Sequence, residues 1–352
     1  MAHLIEQQGP ISLATYMELA LAHPKLGYYT TRDPLGAGGD FTTSPEISQM
    51  FGELLGLWCV DMWEKLGRPD PFVFAEIGPG RGTLMADALR AASLVPEFTR
   101  AAQVALVEIS PILRTEQLKN VPSATWYTSL ADLPNGPILL LANEFFDALP
   151  IRQFQRTDRG WCERCITLQR GDPDAPPSFQ FGLKPDPLAV HFLPSSVANA
   201  PEGAIVETSP ATDSVVTTLA ERLHTQGGAA LIIDYGHAHS AAGDTLQAMK
   251  NHAFADPLAE PGHADITAHV DFENLQTKAV GASAYGPVEQ GAFLERLGIS
   301  ARAENLKQRA TPDQAEEIET ALHRLTGRTA MGRLFKVMSL TGPGTPAPAG
   351  FE

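Results

Sequence analysis

The stretch "FAEIGPGRGTL", residues 74–84, decides how the chain is to be read. Apolar residues run into Glu76 and then give way to glycine at every second position, Gly78, Gly80 and Gly82, before a segment with helical spacing begins. Giving up three side chains where a strand hands over to a helix suits a backbone that must approach a ligand closely, with the free amides of the helix start at hand. Working outward, "FVFAEI", "QVALVEI", "ATWY" and "PILLLAN" are short apolar runs separated by helical segments near 82–94 and after Ser110 and Pro111. Near-continuous apolar strands alternating with helices predict a parallel sheet covered on both faces, a doubly wound α/β core.

Two cofactor classes compete for such a turn. The dinucleotide fingerprint G-x-G-x-x-G, counted from Gly78 and Gly80, requires a third glycine where Thr83 stands. The chain reads E-x-G-x-G-x-G instead, which favours S-adenosylmethionine: that ligand brings no pyrophosphate but carries a positive sulfonium, beside which the carboxylate of Glu76 has a use. Glu108 closes the second strand, where an acid accepts ribose hydroxyls. "LLLANEFFDALP" ends the next strand, so Asn143, Glu144 and Asp147 are expected at the carboxyl edge of the sheet facing the donor's methyl group, a costly place for acids without a role.

The formal charge of −15 and the absence of a Lys/Arg run argue against nucleic acid as a partner. Three cysteines, Cys59, Cys162 and Cys165, are too few for a secreted disulfide framework. No metal is expected, because His237, His239 and His252 lack partners at ligand spacing. The first residues, "MAHLIEQQGPISLATYMELALAHP", show neither a basic leader nor an Arg-rich presequence, and no stretch reaches membrane-spanning length; on this ground a cytoplasmic protein without membrane insertion is expected.

Five regions are expected: a helical region at 1–70 with a glycine loop near the donor, an α/β core at 71–160, a Pro-rich excursion with short strands at 161–200, the later core strands with an accessory region at 201–340 ("AIVETS", "AALIIDYG", "RLFKVMSL"), and a disordered tail at 341–352. Ser44 before Pro45 is expected to cap a single apolar helix at 45–66, which has two surfaces to pack on: its own sheet, or a second copy in a homodimer.

Longer blocks carry a resemblance. "GAGGDFTTSPEISQMFGE", "EIGPGRGTLMADALR", "VEISPILRTEQ", "NEFFDALP", "IDYGH", "PGHADITAHVDF", "QGAFLERLGI" and "MGRLFKVM" are similar to the MidA family, bacterial relatives of the mitochondrial NDUFAF7 arginine methyltransferases, over about residues 8–340. The resemblance implies a class I, Rossmann-like, seven-strand-type methyltransferase core with an added smaller domain, S-adenosyl-L-methionine as cofactor, and an arginine of a protein, in the relatives a respiratory complex I core subunit, as methyl acceptor. It places Gly78, Gly80, Gly82 and Glu108 at the donor, "GGDFTTSPE" with Gly39, Asp40 and Thr42 on a loop beside it, and Asn143 and Glu144 on the fourth-strand motif. His263 stands where the family pattern leads one to expect an acid, which leaves the acceptor pocket open.

Bidentate carboxylates can localise the charge of a guanidinium and free one nitrogen for attack. Glu144 is the expected grip, with Asp147, Glu207 and Asp234 as helpers, and His269 with Asp271 as an acid/base alternative. Two other readings stand beside it: transfer to a small-molecule, carboxyl or hydroxyl acceptor, and a respiratory-complex assembly chaperone without turnover.

Overall fold

The computed structural model describes residues 1–32, 42–169, 177–187 and 193–351. The expected loop residues Gly39 and Asp40 lie outside the described residues. The central sheet runs, edge to edge, Ser283–Glu289, Phe335–Thr341, Gly228–His237, Ile138–Asn143, Phe72–Ile77, Ala102–Val107 and Thr125–Tyr127, with the two-residue Val270–Asp271 alongside Gly228–His237. Phe335–Thr341 is antiparallel to both its neighbours, and the other pairings in this order are parallel.

Alternation along the buried strands explains the two-layer cover. Phe74, Leu139, Leu141 and Leu231 pack with the Gln49–Lys65 and Thr83–Ala92 helices, while Ala75, Leu140 and Ile232 pack with Val216, Leu219 and Leu223 of the Pro210–Gln226 helix. The first cover is close: a Cβ at Gly56 would sit 2.4 Å from the Ala88 carbonyl oxygen, so only glycine lets these two helices cross there.

The apolar stripe expected as one helix at 45–66 is broken. Ser44–Ile47 forms a single turn, Ser48 is extended at φ −162°, and its hydroxyl accepts from the Met50 amide at 3.2 Å to start Gln49–Lys65. Ser48 out-competes helix continuation because its side chain satisfies an end amide that would otherwise have no partner. The long helix buries its apolar residues against this chain's own core.

A second, antiparallel sheet orders Ile11–Ser12, Gly160–Gln169, Arg152–Thr157 and Ile205–Thr208, with Ser178–Leu183 on Gly160–Gln169. Ile205–Thr208, expected among the later core strands, belongs here: as a four-residue strand it pairs with Arg152–Thr157, and the core sheet is complete without it. The Leu13–Ala22 helix seals this sheet through Leu13, Tyr16, Met17 and Leu21.

The tail is ordered rather than disordered through residue 351. Phe351 stacks on Phe293 at 5.3 Å, and the Ala349 and Gly350 carbonyls accept from Trp58 Nε1 and Arg296 Nη1 at 3.2 and 2.9 Å. Low sequence complexity missed these anchors because they are supplied by other elements. Among the described residues no helix is long and apolar enough to cross a membrane.

Candidate active site

The chain reaches Thr125–Tyr127 at one edge and returns to Ile138–Asn143 on the far side of Phe72–Ile77, so the strand order reverses between these two neighbours. Ligands of open α/β sheets bind at the carboxyl ends of the strands beside such a switch. A cavity of about 560 Å³ opens there, lined among others by Glu76, Gly78, Gly80, Glu108, Asn143 and Glu144.

The glycine turn has the geometry its sequence predicts. Gly78, Gly80 and Gly82 hold φ of 63°, 52° and 80°, left-handed values that disfavour side chains. A Cβ at Gly78 would lie 2.7 Å from Phe145 Cδ2, so this glycine also makes room for the turn after the next strand. Gly82 then serves as N-cap of Thr83–Ala92.

Glu76 is buried, and its Oε2 has no hydrogen-bond partner among the described residues. Burial pushes its carboxyl up to about 8, the Glu108 charge adds to this, and the Met85 amide opposes it. A buried acid with an empty oxygen on a ligand-sized cavity is suited to a cationic group. Glu108 is fixed by two donors, the Ser110 amide to Oε1 at 2.7 Å and Gln117 Nε2 to Oε2 at 3.0 Å. Gln117 was not anticipated: the same Nε2 also donates to the Gly80 carbonyl at 2.7 Å, and its Oε1 accepts from Trp126 Nε1 at 2.8 Å.

On the other wall, Glu144 Oε1 accepts from the Ser44 amide at 2.8 Å and from Asn143 Nδ2 at 3.1 Å. Ser44, expected as a helix cap, is thus a contact of the site. Burial raises the Glu144 carboxyl to about 7, with the Ser44 amide opposing and the Asp147 charge adding. Asn143 Oδ1 is buried and has no partner among the described residues.

Other expected residues fall elsewhere. Asp147 does not line the cavity; it is buried, its carboxyl raised by burial, with the Tyr235 hydroxyl opposing the shift. Asp234 is fully buried and spends its oxygens on backbone amides, Oδ2 accepting from Phe145, Phe146 and Asp147 at 3.2, 2.9 and 3.2 Å and Oδ1 from Tyr235 at 3.0 Å. Glu207 sits in a network of the second sheet, accepting from Gln153 Nε2 at 2.7 Å and the Thr245 amide at 3.1 Å. His269 packs edge-on against Tyr235, while Asp271 caps the Phe272–Lys278 helix and pairs with Ser240. Strand-end position alone did not separate these structural acids from those on the cavity. Thr42 lends its carbonyl to Arg324 Nη2 at 3.4 Å, and its neighbour Thr43 lines the cavity. His263 meets Arg32 Nη2 through Nδ1 at 3.0 Å, away from the cavity lining.

Among the described residues no group of three or more His, Cys, Asp or Glu is placed to hold a metal ion. The empty Glu76 oxygen, the left-handed glycines and the twice-held Glu108 fit S-adenosyl-L-methionine: a carboxylate for its cationic end, backbone for close approach and an acid for ribose.

Comparison with known proteins bears on the same region. Residues 54–288 match the family model described as "Putative S-adenosyl-L-methionine-dependent methyltransferase". Relatives named protein arginine methyltransferase NDUFAF7, mitochondrial, include one from Danio rerio, 38% identical over 97% of this chain and 85% of its own, and one from Homo sapiens, 35% identical over 96% and 81%. The Drosophila melanogaster homolog is 39% identical over 94% of this chain and 82% of its own. A Burkholderia thailandensis protein solved with S-adenosyl-homocysteine bound aligns with TM-score 0.83 and 29% identity, covering 99% of this chain and 92% of that one.

These relatives are named as mitochondrial, which overturns the cytoplasmic expectation. That expectation read an address into residues that carry structure: Ile5, Leu13, Tyr16, Met17 and Leu21 are core, so their composition answers to packing.

Proposed function

From the premise that this chain belongs to the S-adenosyl-L-methionine-dependent methyltransferase family that includes the NDUFAF7 proteins, we propose that it methylates an arginine side chain of a protein, with Glu144 gripping the guanidinium. The observation that carries the acceptor's charge is the cavity wall: beside Glu76 and Glu108, which are assigned to the donor, Glu18, Glu46 and Glu144 face it, and Arg81 is the one Lys or Arg among its described lining residues. So acidic a lining suits a cationic acceptor and disfavours a carboxylate. The chain's resemblance to NDUFAF7 extends the proposal to a core subunit of respiratory complex I as the protein acceptor.

When bound, S-adenosyl-L-methionine supplies an electrophilic methyl carbon on its sulfonium. Glu76 and the glycine turn would hold its charged end, and Glu108, kept in place by Ser110 and Gln117, would take the ribose. Glu144 and the Asn143 Oδ1 next to it offer acceptors to guanidinium N–H groups, which draws positive charge to one side and leaves the opposite nitrogen to attack. The guanidinium loses one proton in the exchange, and Glu144, whose carboxyl lies at about 7, is suited to receive it.

The test is transfer of a labelled methyl group to an arginine-containing protein, followed by acid hydrolysis and separation of methylarginines, for the parent chain and for Glu144→Gln. Labelled methylarginine from the parent only, with donor affinity kept in the variant, supports the reading. Label on carboxyl, hydroxyl or small-molecule acceptors instead sinks it.

A further inference from the structure

We propose that Asp234 is the positioning residue of the acceptor site, clamping the 144–147 turn so that Glu144 faces the cavity. The proposal rests on the reading of Glu144 as the acceptor's grip. Glu144 has a backbone φ of 51°, in the left-handed region. Among the described residues three other non-glycine positions share that sign, Arg68, Asn251 and His252, and all three are exposed, whereas Glu144 is partly buried at a strand end. A glutamate keeps such a conformation only where its surroundings over-determine it.

The surroundings that do so converge on one side chain. The three amides following Glu144 all donate to Asp234 Oδ2, and the Glu144 amide itself donates to the Ile233 carbonyl at 2.9 Å, the residue before Asp234. Three N–H groups aimed at one oxygen form an anion nest, and the turn that makes it must place residue 144 outside the helical and extended regions. Asp234 does not line the cavity, so it acts through Glu144 and not on the acceptor. Keeping an acid at 234 has a cost: burial first, then the charges of Asp147 and Glu144, push its carboxyl up, so the acid is held there by the four amides it accepts. Asparagine would be the neutral substitute, but whichever way its amide points, an NH₂ confronts either the three turn amides or the Tyr235 amide.

The experiment is a double-mutant cycle on turnover with Asp234→Asn, Glu144→Gln and the pair, together with donor affinity by calorimetry. Asp234→Asn is expected to lower kcat by about a hundredfold at saturating donor, the cost of misplacing a gripping group by roughly an ångström. In the Glu144→Gln background the same change is expected to cost almost nothing further, because Asp234 then has no grip left to position. Equal fold-losses in both backgrounds, or parent-like turnover of Asp234→Asn beside an inactive Glu144→Gln, overturn the inference alone. Parent-like turnover of Glu144→Gln overturns the reading of Glu144 and this inference with it. Should Asp234→Asn fail to fold, Asp234→Ser, smaller and uncharged, enters the same cycle, and amide exchange at residues 145–147 should speed up in it; parent-like exchange there overturns the clamp.

Discussion

Gln117 Nε2 lies 3.0 Å from Glu108 Oε2, and the same nitrogen lies 2.7 Å from the Gly80 carbonyl. One side-chain amide therefore sets the distance between the glycine turn and the acid of the neighbouring strand. Replacing it with leucine removes a hydrogen bond to a buried carboxylate and frees the turn. Gln117→Leu is expected to weaken S-adenosyl-L-methionine binding by about tenfold, the equivalent of one charge-assisted hydrogen bond of roughly 1.5 kcal/mol. Calorimetric titration reads it; unchanged affinity would show that Glu108 holds its place without Gln117.

Gly78 has two reasons to be glycine, and substitution separates them. Gly67 has φ +84° and nothing within 4 Å of a built Cβ, so Gly67→Ala carries conformational strain alone. Gly78→Ala adds a 2.7 Å clash with Phe145, a ring that lines the cavity beside Glu144. Both variants are expected to lose about 1–2 kcal/mol of stability from left-handed backbone, and Gly78→Ala alone to lose donor binding. Thermal melts with and without the donor compare them, and donor binding kept by Gly78→Ala would refute the steric part.

Much of this was legible in residues 74–143. Apolar runs such as "PILLLAN" gave the buried strands, because a strand covered on both faces must be apolar throughout. The glycines at 78, 80 and 82 marked left-handed backbone, since little else tolerates it. Gln117 stayed hidden because its partners, Gly80, Glu108 and Trp126, come from three other segments. A signal did exist: Gln117 lies four residues after the buried Leu113, on the same helix face, where a polar residue needs a buried partner. Asp147 and Asp234 looked like site acids for the opposite reason. Sequence locates a strand end but not which way the side chain turns, and both turn inward to the protein.

Phe351 anchors the end of the chain. Its ring packs on Phe293 and lies 6.5 Å from Tyr285, and the turn before it gives the Ala349 and Gly350 carbonyls to Trp58 and Arg296. Phe351→Ala is expected to cost about 2–3 kcal/mol, below the roughly 3–5 kcal/mol of a fully buried aromatic because this ring keeps some exposure. Denaturant titration followed by tryptophan fluorescence measures it. A cost near zero would mean that the carbonyl contacts at 349–350 suffice.

Glu76 links donor binding to protons. Burial first, then the Glu108 charge, lifts its carboxyl from 4.5 to about 8, so near neutral pH the free protein holds a proton there that the unfolded chain has released. The sign follows: the stability this group contributes is fully present below about 4.5 and is lost as pH rises through about 8. A cationic donor stabilises the carboxylate and expels that proton, so affinity should rise with pH toward about 8. The donor's own α-amino group titrates near 7.7–8.0 and works in the other direction, which is why the comparison needs Glu76→Gln. Calorimetry in phosphate and in Tris counts the protons released at pH 7. The parent should release more than Glu76→Gln, which also binds more weakly. Equal counts would assign the donor's charged end to another group, and the orphaned Glu76 oxygen would then need a different partner.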